Sequence, residues 1–280
     1  KDELVEKIEN FLGENKYKEV QQNELDKRVL EISKEIITLN KLTPSFFILT
    51  LASLDSIGHE FGPHSKEVYK HLELLDNLIY SLIEETNSFP VIITGDHGCR
   101  TVSKYVIEPE NESEIQVYRI QGQEIKPYEK HILKGAGYNM QYDGGLLRMW
   151  MDVGIDIAAE DLSFFSKYGF VFPHYIKQGL ADKEIIRWYN NSVHENIGDI
   201  FVIAHEDTSF FKLDWIHDKK IQGKIASEKS LKLGDLPIGE HGTYHKEDRN
   251  VCFISNIKPL HQYLTNIQIY DLIKNNIRKN

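Results

Sequence analysis

The sequence is poor in cysteine and contains no long apolar run, and each of these shortages excludes a class of protein. Only two of the 280 residues, Cys99 and Cys252, are cysteine, too few for the disulfide framework of a small secreted domain. We interpret both as small buried residues. The longest apolar stretch, at residues 46–52, is far shorter than the span of about 20 residues that a membrane-crossing helix needs. We therefore expect no membrane segment in this chain, and since it shows no targeting signal either, its compartment stays open.

Basic charge is scarce relative to acidic charge. The chain carries 33 lysines and arginines against 43 aspartates and glutamates, which gives a formal net charge of −10. This balance argues against a protein that binds duplex nucleic acid by neutralising its phosphates with a basic face. A small anionic substrate is still compatible with the sequence, because a bound cation can reverse the local field.

The patterns that are present predict an α/β protein. Two apolar runs, at 46–51 and 90–94, predict buried strands, and the segment between them predicts an amphipathic helix that begins after Ser65. A strand, a helix and a strand in this order indicate a parallel β-α-β unit. Further helices are predicted at 2–12, 24–40 and 266–278, and further strands at 199–204 and 251–255.

The middle of the chain has a looser pattern, and we interpret residues 104–195 as a smaller inserted α+β subdomain in which substrate preference could reside. Residues 1–103 and 196–280 then form the core, for which we predict a doubly wound, mostly parallel sheet with helices on both faces. The elements predicted after residue 104 are a hairpin at 117–125, a strand at 146–151, helices at 156–167 and 182–191, and a loop-rich stretch at 212–238.

Three polar clusters adjoin predicted strands and carry residue types that bind metals. Asp55 and His59 lie four residues apart, on what we expect to be a turn after the first strand. Asp96 and His97 follow the second strand, and His241 precedes a third. An isolated cluster of this kind is usually part of an ordinary turn. Two carboxylates and three imidazoles together suit zinc or a similar ion, but are too many for one open catalytic zinc. The sequence therefore predicts two divalent metal ions, roughly 4 Å apart, of the kind that clamp a phosphoryl group.

The same clusters resemble the motifs of a known family. They read DSIGHEFGPHS at residues 55–65, TGDHG at 94–98 and GEHG at 239–242. In order, spacing and strand context they are similar to the type I phosphodiesterase/nucleotide pyrophosphatase family of the alkaline phosphatase superfamily, from the helix at 24–40 to the C-terminus. The resemblance implies an alkaline-phosphatase-like fold. It also implies hydrolysis of phosphodiester or pyrophosphate bonds in a small phosphorylated substrate, for which a nucleotide is one candidate.

The resemblance assigns roles to the five candidate residues. It matches Asp55, His59 and His241 to the ligands of one zinc. It matches Asp96 and His97 to two ligands of a second zinc. In the family the second zinc also binds an aspartate from the first strand and a threonine or serine, whose hydroxyl is the nucleophile that attacks phosphorus.

No residue of this chain matches that aspartate or that nucleophile. Both are expected upstream of the helix at 24–40, yet residues 1–23 contain neither serine nor threonine and predict no strand. Thr43 and Ser45 precede a predicted strand, so they belong to the opposite edge of the sheet from the metal candidates. We therefore assign no catalytic residue in this chain and expect the nucleophile to lie upstream of it.

Three alternatives stay open. The substrate of a member of this superfamily can also be a phosphomonoester or a phosphonate, and five ligands are compatible with a manganese-dependent mutase. The unmatched nucleophile leaves a non-catalytic, metal-binding remnant as the third alternative. A sulfatase is disfavoured, because the sequence contains no Cys-x-Pro-x-Arg stretch to supply its modified nucleophile.

Overall fold

The computed structural model describes residues 22–39, 47–86, 90–108, 113–135, 137–192, 198–257 and 266–277, and the helix predicted at 2–12 lies outside them. The described helices are α1 (Gln22–Leu39), α2 (Ser53–Phe61), α3 (Lys66–Thr86), α4 (Ala159–Phe165), α5 (His174–Lys177), α6 (Lys183–Ser192), α7 (Lys219–Ala226), α8 (Lys246–Arg249) and α9 (Asn266–Ile277). The described strands are β1 (Ile92–Thr94), β2 (Arg100–Thr101), β3 (Lys104–Glu108), β4 (Glu114–Gln121), β5 (Glu124–Ile132), β6 (Tyr138–Asp143), β7 (Leu146–Met151), β8 (Gly169–Phe172), β9 (Ile200–Ala204), β10 (Thr208–Lys212), β11 (Leu231–Lys232), β12 (Gly239–Glu240) and β13 (Phe253–Ser255). None of these described helices is both long enough and apolar enough to span a membrane.

Helices α1, α2 and α3 are joined by one buried carboxylate. Asp26 of α1 is 1% exposed, and its oxygens accept hydrogen bonds from the backbone N–H groups of Ala52 (3.1 Å) and Ser53 (3.3 Å). Those N–H groups belong to the start of α2, whose N-cap residue, Ala52, supplies no side-chain acceptor. The same carboxylate lies 3.2 Å from Nε2 of the buried His71 on α3. One side chain therefore fixes the start of α2 and connects it to both neighbouring helices.

The described strands form two larger sheets and two short strand pairs. The five-stranded sheet has the order β10-β3-β4-β5-β11, and the four-stranded sheet has the order β6-β7-β9-β8. Strand β1 pairs with β13, and β2 pairs with β12. An isolated bridge between Gly144 and Phe210 connects the two larger sheets.

A shared apolar core lies between the two larger sheets. Val106 of the five-stranded sheet and Val202 of the four-stranded sheet are fully buried in one cluster, to which α4 adds the ring of Phe164. On the opposite face of β9, Phe201 stacks on Tyr189 of α6, with 5.6 Å between the ring centroids. Helices thus cover both faces of the four-stranded sheet, and every residue of β9 is buried.

The predicted mixed α/β class, with helices on both faces of a sheet, is confirmed. The described strand pairs are antiparallel except for β3 with β10, so the pairing is mostly antiparallel where the sequence predicted it to be mostly parallel. The predicted elements that the structure contains are α1, α3, α4, α6, α9, the hairpin of β4 and β5, and the strands β1, β7, β9 and β13.

The prediction of a strand at 46–51 is wrong for the described residues 47–51, and so is the parallel β-α-β unit that depends on it. These residues form no regular element, and Ile48 is 78% exposed. An apolar run becomes a strand only where a neighbouring strand shares its backbone hydrogen bonds, and in the described part of the chain β1 pairs with β13 instead. Residues 53–61, expected to form a turn, are helix α2. The stretch 212–238, predicted to be loop-rich, contains α7 and β11.

Cys252, interpreted from the sequence as a buried residue, is exposed. It directly precedes β13, where Ile254 is also 58% exposed. Burial of a small side chain depends on which elements pack over it, and the local sequence does not contain that information.

Strands on the two sides of the predicted domain boundaries pair with one another. Strand β9 lies between β7 and β8, and β10 pairs with β3. The division into a core at 1–103 and 196–280 and an inserted subdomain at 104–195 stays a prediction.

Candidate metal centre

Helix α2 places two of the predicted metal ligands one turn apart. Asp55 and His59 occupy positions i and i+4, so their side chains lie on the same face of the helix, with 3.4 Å between Asp55 Oδ1 and His59 Nε2. The helix ends at Gly62, which has a φ of +87° and donates its N–H to Gly58 O at 2.9 Å. This cap ends the helix directly after the turn that carries His59.

Strand β12 brings His241 to the same place. Gly239 of β12 packs directly against α2, because a Cβ at this position would lie 2.1 Å from the carbonyl oxygen of Gly58. Glycine is therefore required for the strand to approach the helix so closely. His241 follows the strand, and its Nε2 lies 3.5 Å from Asp55 Oδ1. One ligand atom from each of Asp55, His59 and His241 lies within 4.8 Å of the other two, and we call these three residues the triad.

Backbone carbonyls determine which nitrogen of two histidine rings faces the triad. His59 Nδ1 lies 2.8 Å from Gly239 O, and His97 Nδ1 lies 2.9 Å from Gly98 O. A carbonyl oxygen only accepts hydrogen bonds, so Nδ1 carries a proton in both rings. In the neutral ring, Nε2 is then the nitrogen that offers a lone pair to a metal.

The centre of the cluster is one shielded oxygen atom. Asp55 Oδ1 is buried and makes no hydrogen bond of normal geometry within the described structure, although the rest of this side chain reaches solvent. Three imidazole Nε2 atoms surround it, from His59 at 3.4 Å, His241 at 3.5 Å and His97 at 4.0 Å. A shielded carboxylate oxygen that makes no hydrogen bond is unfavourable unless positive charge nearby compensates it, from a protonated imidazole or from a metal ion. The residues present therefore fit a metal ion bound between this carboxylate and the imidazoles.

Charges within the cluster shift the pKa values of its members in opposite directions. The neighbouring His59 holds the pKa of Asp55 below its usual range, against the opposing effect of burial. Asp55 in turn raises the pKa of His59 to about 9, again against burial, and the charge of Glu240 adds to the rise. Burial lowers the pKa of His241, and the adjacent His97 lowers it further. In the metal-free protein His59 is therefore protonated at neutral pH, and a cation that binds its Nε2 displaces that proton.

Asp96 and His97 lie in the loop after β1, and their surroundings differ. His97 stacks on the ring of His241, with 3.6 Å between the ring centroids. The Asp96 side chain is 89% exposed; its Oδ1 accepts the backbone N–H of His97 at 3.0 Å, and its Oδ2 lies 3.7 Å from His97 Nε2. The structure thus brings His97 together with the triad and leaves Asp96 at the solvent-exposed edge. The role of all five residues as metal ligands stays a prediction.

Cys99 packs behind the centre. Burial raises the pKa of its thiol to about 12, and the charges of Glu240 and Asp55 add to the rise. The thiolate, which is the nucleophilic form, is therefore not populated near neutral pH. Cys99, interpreted from the sequence as buried, is only partly buried, and Cβ atoms at Gly58 and Gly239 would lie 3.6 and 2.8 Å from its sulfur.

Two buried acids, Glu240 and Asp26, support the centre, and neither was predicted from the sequence. Glu240 directly precedes His241, and this adjacency to a candidate ligand is the signal that could have identified it. Asp26 gives no such signal, because its partners Ala52 and His71 lie 26 and 45 residues further along the chain.

A mixed α/β fold that gathers a carboxylate and three imidazoles at one place is the arrangement expected of an α/β protein with a metal centre. The chain belongs to the type I phosphodiesterase / nucleotide pyrophosphatase family, whose model matches residues 9–227. The family resemblance is thereby confirmed; the motifs at 55–65 and 94–98 lie inside the matched residues, and the motif at 239–242 lies beyond them.

This chain matches only part of each similar protein, because those proteins are longer. The venom phosphodiesterase CdcPDE of Crotalus durissus collilineatus and the venom phosphodiesterase of Naja atra are each 32% identical to this chain over 82 residues, which is 27% of this chain and 10% of each relative. The structure of phosphonoacetate hydrolase from Sinorhizobium meliloti 1021 in complex with phosphonoformate has a TM-score of 0.50 and 14% identity. That match covers 91% of this chain and 56% of the hydrolase chain, and at this identity it shows a shared fold alone.

Proposed function

We propose that this chain forms the metal-binding part of a hydrolase of phosphodiester or pyrophosphate bonds that works with two divalent cations. The observation that carries the proposal is the shielded Oδ1 atom of Asp55, which makes no hydrogen bond of normal geometry and faces three imidazole nitrogens. A carboxylate and imidazoles are donors that suit zinc, and membership of the phosphodiesterase family supports the reaction.

The triad of Asp55, His59 and His241 holds the first cation in this proposal, and Asp96 with His97 holds the second. Such ions, when bound, act as Lewis acids on phosphoryl oxygens and lower the pKa of an attacking hydroxyl. The protein's own contribution is to fix the donors before the substrate arrives. Gly239 O orients the ring of His59, and the stacking of His97 on His241 orients two further rings.

The substrate in this proposal is a small phosphorylated molecule, and a nucleotide diester or a nucleotide pyrophosphate is the class that the family membership supports. A phosphoryl group carries negative charge, and a cation-loaded centre supplies the attraction that a chain with a net charge of −10 otherwise lacks. Phosphomonoesters and phosphonates are the competing substrates, and the test below separates them.

The test uses the protein as encoded, including any residues that flank this chain, and loads it with zinc. Turnover is compared for the p-nitrophenyl ester of thymidine 5′-monophosphate, bis(p-nitrophenyl) phosphate, p-nitrophenyl phosphate and phosphonoacetate. We expect both diesters to be hydrolysed faster than the monoester and the phosphonate. Faster turnover of the monoester or of phosphonoacetate would assign the alternative reaction, and no turnover of any ester by the zinc-loaded protein would support the non-catalytic remnant.

Two variants test whether the activity depends on the centre. Asp55→Asn removes the charge of the shielded oxygen and is expected to lower diester turnover by about 100-fold or more. Asp76→Asn changes an exposed carboxylate on α3 and serves as the matched control, with turnover unchanged. Equal turnover in the two variants would contradict the assignment of the centre.

A further inference from the structure

We infer that Glu240 is a positioning residue that fixes two members of the triad and thereby sets the affinity of the centre for its first cation. The inference rests on the proposed function, since it concerns the same centre.

The carboxylate of Glu240 is held at both oxygens inside the protein. Glu240 is 5% exposed, and it lies on β12 immediately before His241. Its Oε1 accepts the backbone N–H of His241 at 3.1 Å. Its Oε2 accepts the hydroxyl of the fully buried Ser209, on β10, at 3.1 Å. The Glu240 carboxylate therefore links the backbone of His241 to β10 of the five-stranded sheet.

The same carboxylate also lies behind the second imidazole of the triad. Its Oε1 is 3.8 Å from His59 Nδ1, the atom that is already in contact with Gly239 O at 2.8 Å. Negative charge beside the proton on Nδ1 favours the ring orientation in which Nε2 faces Asp55. Glu240 thus acts on His59 through its charge and on His241 through a hydrogen bond, and it contacts no cation itself in this arrangement.

The turn between β6 and β7 is shaped around this carboxylate. A Cβ at Gly144, whose φ is +55°, would lie 2.4 Å from Glu240 Cδ and 2.5 Å from its Oε1. A Cβ at Gly145 would lie 2.3 Å from the carbonyl oxygen of His241. Two consecutive glycines therefore let the turn close over Glu240 and the His241 backbone, which shields the carboxylate from water.

The charge of Glu240 has few compensating partners. Within the described residues, His59 is the ion-pairing group within 4.0 Å of its oxygens, and no lysine or arginine comes as close. A buried carboxylate is unfavourable unless it is hydrogen-bonded and its charge is balanced. Two hydrogen bonds meet the first requirement, and for the second the carboxylate depends on positive charge at the triad, from the imidazoles or from a bound cation. This is why we expect the charge itself, beyond the packing, to matter for metal binding.

The experiment measures zinc and cobalt dissociation constants of the wild-type chain, by competition with a chelator, at a temperature where every variant is folded. Glu240→Gln keeps the size of the side chain and one acceptor but removes the charge. We expect it to weaken metal binding by about 10- to 100-fold and to change the visible absorption spectrum of the bound cobalt. Glu108→Gln is the matched control, because it removes a carboxylate that is 3% exposed on β3, and its dissociation constant should stay at the wild-type value.

A purely structural role would give a different result. In that case Glu240→Gln would lower the unfolding temperature of the metal-free protein and leave the dissociation constant and the cobalt spectrum unchanged, which would overturn the inference. Should Glu240→Gln fail to fold, Ser209→Ala removes one hydrogen bond from the carboxylate and is expected to weaken binding by about 2- to 10-fold. Unchanged binding in Ser209→Ala, with Glu240→Gln unfolded, would also overturn it.

The same titrations separate this inference from the proposed function. If the wild-type chain binds no metal, or binds it as well after Asp55→Asn, the proposed centre fails and the inference fails with it. If Asp55→Asn abolishes tight binding and Glu240→Gln does not affect it, the centre stands and only the role of Glu240 is wrong.

Discussion

Asp55 and His59 lie one turn apart on a helix, whereas Asp96 and His97 are neighbours in the loop that follows β1. The helical pair is restrained on two sides, by Asp26 at the start of α2 and by Gly239 O at the His59 ring. In the loop pair the backbone is fixed, since Gly98 N donates to Asp248 O at 2.7 Å, but the Asp96 side chain is 89% exposed.

The donors of the triad are therefore held in place in the metal-free protein, whereas Asp96 and His97 are held only in part. A rigid set of donors loses little conformational entropy when it takes up an ion, whereas an exposed side chain must first be ordered. We therefore expect the triad to bind its cation more tightly than the loop pair binds the second. Substitutions in each half of the centre and in its supports can test whether the triad binds its cation more tightly than Asp96 and His97 bind theirs.

The largest effect is expected from changing one carboxylate in each half. Asp55→Asn should weaken binding of the tighter cation by about 100-fold or more, because the shielded oxygen loses its charge. Asp96→Asn should leave one tightly bound ion per chain and weaken only the binding of the second ion. Zinc per chain after dialysis, measured by mass spectrometry, checks both. Loss of the tighter ion in Asp96→Asn would reverse the order of the two halves.

The next effect concerns the contact between β12 and α2. Gly239→Ala places a methyl group against the Gly58 carbonyl and should lower the free energy of unfolding by about 1–3 kcal/mol, with weaker binding at the triad. Gly223→Ala, in α7, is the matched control, because its Cβ would meet open space and alanine favours helix by about 0.5–1 kcal/mol. Urea unfolding measures both. Equal stability of the two variants would mean that α2 is not held by β12.

A smaller effect is expected from the helix start. Asp26→Asn keeps one acceptor for the N–H groups of α2 but loses the charge beside His71, and it should destabilise the fold by about 1–2 kcal/mol. Asp76→Asn, on the exposed side of α3, should stay within about 0.5 kcal/mol of wild type. Urea unfolding in the presence of a chelator compares the two variants. If this restraint positions the triad, Asp26→Asn should also weaken binding of the tighter cation, and binding of the second cation should not change.

The smallest effect is the pH dependence of the metal-free protein. The folded state raises the pKa of His59 to about 9, above its ordinary value of 6.5, so protonated His59 stabilises the fold. That contribution is complete below about pH 6.5 and is lost as the pH rises through about 9. The stability gap between wild type and His59→Gln, about 1 kcal/mol or less, should therefore narrow over this range.

The control for this prediction is His64→Gln, which changes an exposed histidine and should leave stability close to wild type at each pH. Thermal unfolding with a chelator present gives the comparison. A gap between wild type and His59→Gln that widens with rising pH would contradict the assigned charge state of His59.

The residues of the centre were predictable from the sequence, and part of their arrangement was predictable too. Motif spacing identified Asp55, His59, His97 and His241, and the structure brings these four together. The class of fold followed from helical periodicity, as in α1 and α3, and from the fully apolar run of β9. These signals are local, and local signals can be read from a sequence.

The sequence could not reveal the features that depend on distant partners. Residues 53–61 contain a glycine and two serines, so local propensity favours a turn, yet Asp26 completes the helix from outside it. The strand predicted at 46–51 is not formed by residues 47–51, because pairing depends on a neighbour that the run itself does not specify. The contacts of Glu240 depend on Ser209 and on the turn at Gly144, and no periodicity connects these segments.

The hydrogen bond between His59 and Gly239 joins residues 180 positions apart, and this separation has a consequence during synthesis. A ribosome adds about 5–20 residues per second, so roughly 9–36 s pass between the appearance of the imidazole and that of its acceptor. Throughout this interval the nascent chain offers Asp55 and His59 without the carbonyl that orients the ring and without His241. A divalent cation that meets the growing polypeptide early finds two donors of the triad, and the third, His241, is added only after Gly239 has been translated.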